Sequence, residues 1–382
     1  MNTLTKRLMC LGLAALLILG LTACGGPKKA ARLSIDARPD APAEIPAALD
    51  IDWNTRYTFA ELEAQLSAMA EQYPDITELY SIGTTWQDLW CLEITNEKIP
   101  AEEKTGIGVF ANIHGGERES AASAMYTAWW LTLCSDDAYV KGLLDAYTIY
   151  VIPVINPDGY EQSFVINTRP NLRPQDANGN NIPFSDPYAD LDGDGFIATL
   201  YRGKADDTPS RELPVFGMES PDWDENGVLG DDPRNSGIDM NRTFDYQWNR
   251  YDIETKDTQQ VGNVNWTSAG TAPATEPEIR ALQQFLYTHE LGALVSLHTG
   301  IQCVLYPWCY RAYDAENPDD AEIPFMKDTA SKMAQAFQDY TGRGSYSMSS
   351  NEDYPTAADL MIRRPPRSTL FAYTIEVYSP GK

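Results

Sequence analysis

Among its 382 residues this chain has only 3 histidines, His114, His289 and His298. Any chemistry that needs imidazole must therefore use these positions. Positive charge is also short, with 29 Lys and Arg against 55 Asp and Glu and a formal net charge of −26. Such an imbalance repels nucleic acid and anionic lipid surfaces and argues against both as partners. Of 6 cysteines, Cys91, Cys134, Cys303 and Cys309 lie beyond the N-terminal segment, without C-x-x-C spacing. That pattern excludes a disulfide scaffold and a cysteine zinc site. Cys303 and Cys309 could pair, or all four could be thiols. No G-x-S-x-G run is present, which removes the nucleophile elbow of serine hydrolases. After the first 21 residues no apolar run is long enough to span a bilayer, and there is no internal repeat. What the chain does have is 43% hydrophobic residues, with 9 Trp, 21 Tyr and 11 Phe, which suffices for one large globular core.

The N-terminus reads as an address. Lys6 and Arg7 precede an apolar run from Leu8 to Leu21, too short for a stable span and suited to a secretory leader. Leu21-Thr22-Ala23-Cys24 resembles the bacterial lipobox. The expectation is that residues 1–23 are removed and Cys24 is lipidated. The protein would then be exported and anchored to a bacterial cell membrane through this lipid only, on the extracellular or periplasmic face. An ordinary leader cut nearby is the alternative. Residues 24–50, rich in Ala, Pro and Asp, read as a tether, and residues 51–382 as the folded domain.

Order is expected from about Tyr57. Thr58 and Glu61 match a capping box, and Phe59, Leu62, Leu66, Met69 and Tyr73 recur at helical spacing up to Pro74. Helices are expected over Ser120–Cys134, Pro277–Thr288 and near Ile323–Tyr340. Short apolar strands are expected over Ile107–Ile113, Thr148–Ile155, Leu291–Leu297 and Cys303–Tyr306. Strands alternating with helices predict an α/β fold with a mostly parallel sheet covered on both faces. Between Asn167 and Ile238 periodicity is lost, and about 174–236 reads as an Asp- and Gly-rich insertion. Asp190, Asp192 and Asp194, and again Asp222, Asp224 and Asn226, resemble calcium loops. The bidentate Glu of such loops is missing from both, so solvated Asp-Gly turns are the other reading.

His114 and His298 each follow an apolar strand, and Glu117 lies three residues after His114. Two imidazoles and a carboxylate past strand ends make a plausible open zinc site, although H-x-x-E alone is a common accident. His289, at a helix end, reads as structural. A wider pattern supports the site. His114-Gly-Gly-Glu117, Asn156-Pro-Asp-Gly-Tyr160, Thr168-Arg-Pro-Asn-Leu-Arg-Pro174, Gly237-Ile-Asp-Met-Asn-Arg-Thr-Phe244, Glu276-Pro-Glu278, Ser296-Leu-His298 and Tyr373-Thr-Ile-Glu376 follow the order of the zinc carboxypeptidase family, which Tyr57 to Glu376 resembles. The resemblance implies a three-layer α/β/α sandwich with a mixed, mostly parallel sheet. It further implies one zinc ion on His114, Glu117 and His298, with Asp239 orienting His114. Glu376 would be the general base and Arg169 the oxyanion donor, with Arg173 and Arg202 as rivals. Asn241 and Arg242 would grip the substrate carboxylate, and Tyr354 would close over it.

The pattern departs in three places. Gly116 stands where digestive members carry an Arg. Met361–Phe371, basic and with two prolines before a core strand, resembles translated sequencing-adapter sequence joined to the reading frame, which resequencing the source DNA checks. The chain also stops at Lys382, where the family continues into a terminal helix, so a longer native gene is expected. The leading expectation is removal of one C-terminal residue from peptides. Alternatives are a peptidase of the same family that cuts murein stem peptides at diaminopimelate, and a non-catalytic lipoprotein that binds peptides.

Overall fold

The computed structural model describes residues 37–165, 169–171, 178, 180, 186, 188–201, 203, 215–230, 237–246, 248, 260–261, 264–265, 272–308, 313–341, 347–349 and 370–377. Cys24, Arg173, Arg202, Cys309, Tyr354 and the run 361–369 lie outside them. The chain divides into two compact units, Met1–Ile113 with Glu117–Pro157 and Pro277–Lys382, and His114–Gly116 with Asp158–Glu276.

The first unit is built on an eight-stranded sheet. Its strands are β1 (Thr77–Thr84), β2 (Asp88–Ile94), β3 (Thr105–Ala111), β4 (Tyr147–Ile152), β9 (Leu291–His298), β10 (Cys303–Leu305), β11 (Ser347–Ser349) and β12 (Phe371–Glu376), in the order β1-β2-β4-β3-β9-β12-β10-β11. Neighbours β4, β3, β9 and β12 run parallel, as do β10 and β11, while β1-β2, β2-β4 and β12-β10 are antiparallel. Successive strand residues point to opposite faces, yet Gly106–Ala111 and Ala293–His298 are buried throughout. Both faces of the central strands are therefore covered, as the three-layer expectation requires.

The helices of this unit are α1 (Phe59–Gln72), α2 (Arg118–Leu133), α3 (Ala138–Ala146), α4 (Pro277–Thr288) and α5 (Ile323–Thr341). The capping box of α1 is present: Glu61 N–H donates to Thr58 Oγ1 and Thr58 N–H to Glu61 Oε2. Such a cap is worth about 1 kcal/mol. Helix α2 is buried on all sides from Ser123 to Leu133. Its hydroxyls survive this burial by turning back on the helix: Ser123 donates to Glu119 O at 2.7 Å and Thr127 to Ser123 O at 3.0 Å.

Three expectations need correction. Residues 37–50 are not free tether. Trp129 Nε1 donates to Leu49 O at 2.7 Å, Trp130 Nε1 to Pro39 O at 3.1 Å, and the Arg38 guanidinium lies 5.6 Å from the Trp130 ring centroid. Buried indole N–H groups need acceptors, and this segment supplies them. The insertion is not loop throughout, because β5 (Thr199–Tyr201) and β6 (Val215–Met218) pair antiparallel in the second unit, within a four-stranded sheet completed by β7 (Gln260–Val261) and β8 (Val264–Asn265). Strand β3 stops at Ala111, short of Ile113, because Asn112 takes a left-handed φ of 55° and turns the chain. Among the described residues no helix is long and apolar enough to cross a membrane.

Candidate metal centre

The loop after β3 is held by its neighbours. Asn156, four residues past the end of β4, donates its backbone N–H to Asn112 O at 3.1 Å and its side-chain amide to Ile113 O at 3.3 Å. Ser120 Oγ accepts Asn112 N–H at 3.1 Å and donates to Glu117 O at 2.6 Å, tying the strand end to the start of α2. Gly115 packs on Gly159, whose backbone occupies the place of any Cβ. A side chain at position 115 would separate these segments.

Glu117 precedes the first residue of α2, and His298 ends β9. Glu117 Oε2 lies 3.0 Å from His298 Nδ1 and accepts Thr299 N–H at 3.2 Å. Glu376 ends β12 and is the register partner of His298 on the neighbouring parallel strand, where Val377 N–H donates to His298 O at 2.8 Å. His114 is joined by the chain to Ile113, and the ligand atoms of His114, Glu117 and His298 lie within 4.8 Å of one another.

Asp239 is the hub of a polar network within the second unit. It is fully buried and caps the short 3-10 turn Met240–Arg242 by accepting Asn241 N–H at 3.0 Å. Its carboxylate also accepts Arg169 Nε at 2.7 Å and stands 3.3 Å from His114 Nε2. Burial by itself would raise the Asp239 pKa. The Arg169 and Arg242 guanidiniums and His114 outweigh burial and hold the carboxyl well below the usual range. Arg242 is half-buried, and its terminal nitrogen donates to Asn241 O at 3.1 Å. Asn171 joins the segments that carry Arg169 and Asp239. Its Oδ1 accepts Ile238 N–H at 2.8 Å, and its Nδ2 donates to the buried Glu276 at 2.7 Å. Gly237 has no room for a Cβ, because the Asn171 carbonyl stands in its place. Sequence reasoning missed Asn171, Glu276 and Asn156 as organisers, although each lies inside a quoted motif.

The donor set fits zinc. Two imidazoles and one carboxylate converge, and each imidazole has a polar neighbour on its other nitrogen, Asp239 for His114 and Ser296 Oγ, at 3.1 Å, for His298. Calcium at Asp190, Asp192 and Asp194 is not supported. The Asp190 carboxylate accepts Gly193 N–H at 2.6 Å and Gly195 N–H at 2.7 Å, and Asp192 and Asp194 accept from Asp194 and Phe196. These bonds are those of Asp-Gly turns. Glu219 fixes the same loop through the N–H groups of Leu191 and Ala198, and no cation is needed to shape it. His289 is structural as expected, stacked 4.0 Å from Phe285 at the end of α4. Cys91, Cys134 and Cys303 are buried thiols, and burial pushes the pKa of the Cys303 thiol up to about 12.

Fold and donor set together define a single-metal centre at the carboxyl ends of the strands of a mixed α/β sheet. The zinc carboxypeptidase family profile matches residues 62–381, and the chain belongs to that family. It is 24% identical over 271 residues to zinc carboxypeptidase A 1 of Anopheles gambiae, covering 70% of this chain and 48% of that protein. It is 32% identical over 148 residues to carboxypeptidase M of Mus musculus, covering 36% of this chain and 32% of that one. This chain thus spans half or less of the length of these two relatives. The fold resembles the crystal structure of thrombin activatable fibrinolysis inhibitor, with a TM-score of 0.58 and 18% identity over 87% of this chain and 68% of the other.

Proposed function

We propose that this protein is a zinc-dependent carboxypeptidase that removes single residues from the free carboxyl ends of peptides. The observation that carries this reading is Glu376 in register with His298, beside the His114, Glu117 and His298 cluster. A binding protein would need the ligands or the base, but not both. Bound zinc would supply Lewis acidity and lower the pKa of water to ~7. Glu376 takes the proton of the attacking water and returns it to the leaving amine. Arg169, whose guanidinium plane is fixed by its Nε bond to Asp239, donates to the oxyanion of the transition state. Arg242 and Asn241 bind the terminal carboxylate, for which a guanidinium fork is the matching shape. The names of the relatives above are those of carboxypeptidases, which supports the same assignment. We read Cys24 as the lipid anchor that would hold the domain outside the cell, which the mass of the mature N-terminal peptide tests.

The direct test is mass spectrometry of a peptide library, with free and amidated C-termini, after incubation with the zinc-loaded protein. Loss of single C-terminal residues from the free peptides only is the expected result. Equal loss from amidated peptides refutes the carboxylate-binding role of Arg242 and Asn241. Cleavage of murein stem peptides alone moves the substrate to the cell wall.

A further inference from the structure

We infer that Ser296 is a positioning residue of the metal centre, its buried hydroxyl setting the tautomer and tilt of His298. The inference rests on the zinc reading above and adds a residue to it. Ser296 and His298 are two apart on β9, so their side chains leave the same face of the sheet. Ser296 Oγ lies 3.1 Å from His298 Nε2, and the two residues are only 1% and 2% exposed. The other ring nitrogen, Nδ1, faces Glu117 Oε2 at 3.0 Å. The two nitrogens therefore meet different groups, a hydroxyl on one side and a metal-ligating carboxylate on the other.

A neutral imidazole carries one N–H, and a metal takes the lone pair of the bare nitrogen. The nitrogen that faces Glu117 must be the bare one if His298 is to share a metal with that carboxylate. Nε2 then holds the hydrogen and donates it to Ser296 Oγ. Ser296 is itself held in mid-sheet, with Phe110 of β3 and Thr374 of β12 as register partners. Its oxygen is consequently a fixed point against which the ring is set. The two histidines are treated differently. His114 has a carboxylate, Asp239, at 3.3 Å from its Nε2, which both orients the ring and makes it a stronger donor to metal. Ser296 is neutral and only orients.

The test uses the full chain and zinc alone. Ser296→Ala should weaken zinc binding about 10- to 100-fold in competition with a chromophoric chelator, the range for losing such a partner, while the zinc-free protein still melts cooperatively, lower by about 2–4 °C as one lost buried hydrogen bond dictates. Long-range nitrogen-15 spectra of histidine-labelled wild type give a second readout that needs no variant, and three histidines keep them assignable. They should show His298 protonated on Nε2 with zinc bound. Zinc affinity of Ser296→Ala within twofold of wild type, or a proton on Nδ1 in wild type, overturns the role of Ser296 and leaves the metal site standing. Wild type that takes up no zinc overturns the metal site and this inference together.

Discussion

Asparagine at position 239 would keep the side chain's shape and remove its charge. Asp239 is fully buried and serves Arg169 Nε at 2.7 Å, Asn241 N–H at 3.0 Å and His114 Nε2 at 3.3 Å. An amide oxygen in the place of Oδ1 still faces Asn241 N–H and His114 Nε2, but the NH2 group in the place of Oδ2 meets the Arg169 Nε donor. Removing one partner of a buried ion pair costs ~3–5 kcal/mol. Arg169 is 24% exposed and can turn partly to water, so Asp239→Asn should lose about 3 kcal/mol, the low end of that range. Urea unfolding at pH 7, followed by tryptophan fluorescence, measures this. The pH dependence has a definite sign. The folded-state pKa of Asp239 lies well below its unfolded value. Its stabilisation is therefore complete above an unfolded value of ~4 and is lost as pH falls through the folded value. The gap between wild type and variant should be flat from pH 7 to about 5 and close as the medium becomes strongly acidic. A variant within about 1 kcal/mol of wild type at pH 7, or a gap that does not close in acid, refutes the account of Asp239 as the charged hub.

Glu376→Gln should reduce kcat by at least ~100-fold with zinc content unchanged by metal analysis, and retained turnover removes Glu376 from its role. Arg242→Ala should raise KM roughly 10- to 100-fold for peptides with a free C-terminus, as expected for a lost charged hydrogen bond, and an equal effect on amidated peptides contradicts the assignment. Trp129→Phe removes the Nε1 donor to Leu49 O together with one ring of a buried indole packed on Trp53 and Tyr126. It should cost at least about 1 kcal/mol for the bond, with the cavity left by the smaller ring adding to that, and speed proteolytic cleavage within residues 37–50; unchanged stability and cleavage would mean that Trp129 does not hold the segment.

The sequence was most legible where a residue type has few uses. With only 3 histidines in the chain, two of them past apolar strands, a candidate cluster could be suggested from spacing, and the resemblance to the zinc carboxypeptidase family was needed to complete it. The helix Pro277–Thr288 matches its expected bounds, because apolar residues at helical spacing say which face is buried. Strand ends were less legible, since apolarity reports burial and not pairing. Ile113, Val154 and Ile155 are buried but lie beyond the ends of β3 and β4. The hairpin β1-β2 was not expected at all. Its outer strand mixes Glu78 and Ser81 with Leu79 and Tyr80, as an edge strand half-open to solvent does. The segment 37–50 looked like tether because it binds through backbone carbonyls, which every residue has and no pattern reveals. Asn171, Glu276 and Ser296 were hidden for a different reason, because they act through polar side chains of common type. Asn171 and Glu276 are 105 positions apart, and nothing marks either until the fold brings them together. A metal site is thus written at two levels. Its ligands are chemically rare and can be read in the chain, while the groups that aim them are common residues given a role by topology.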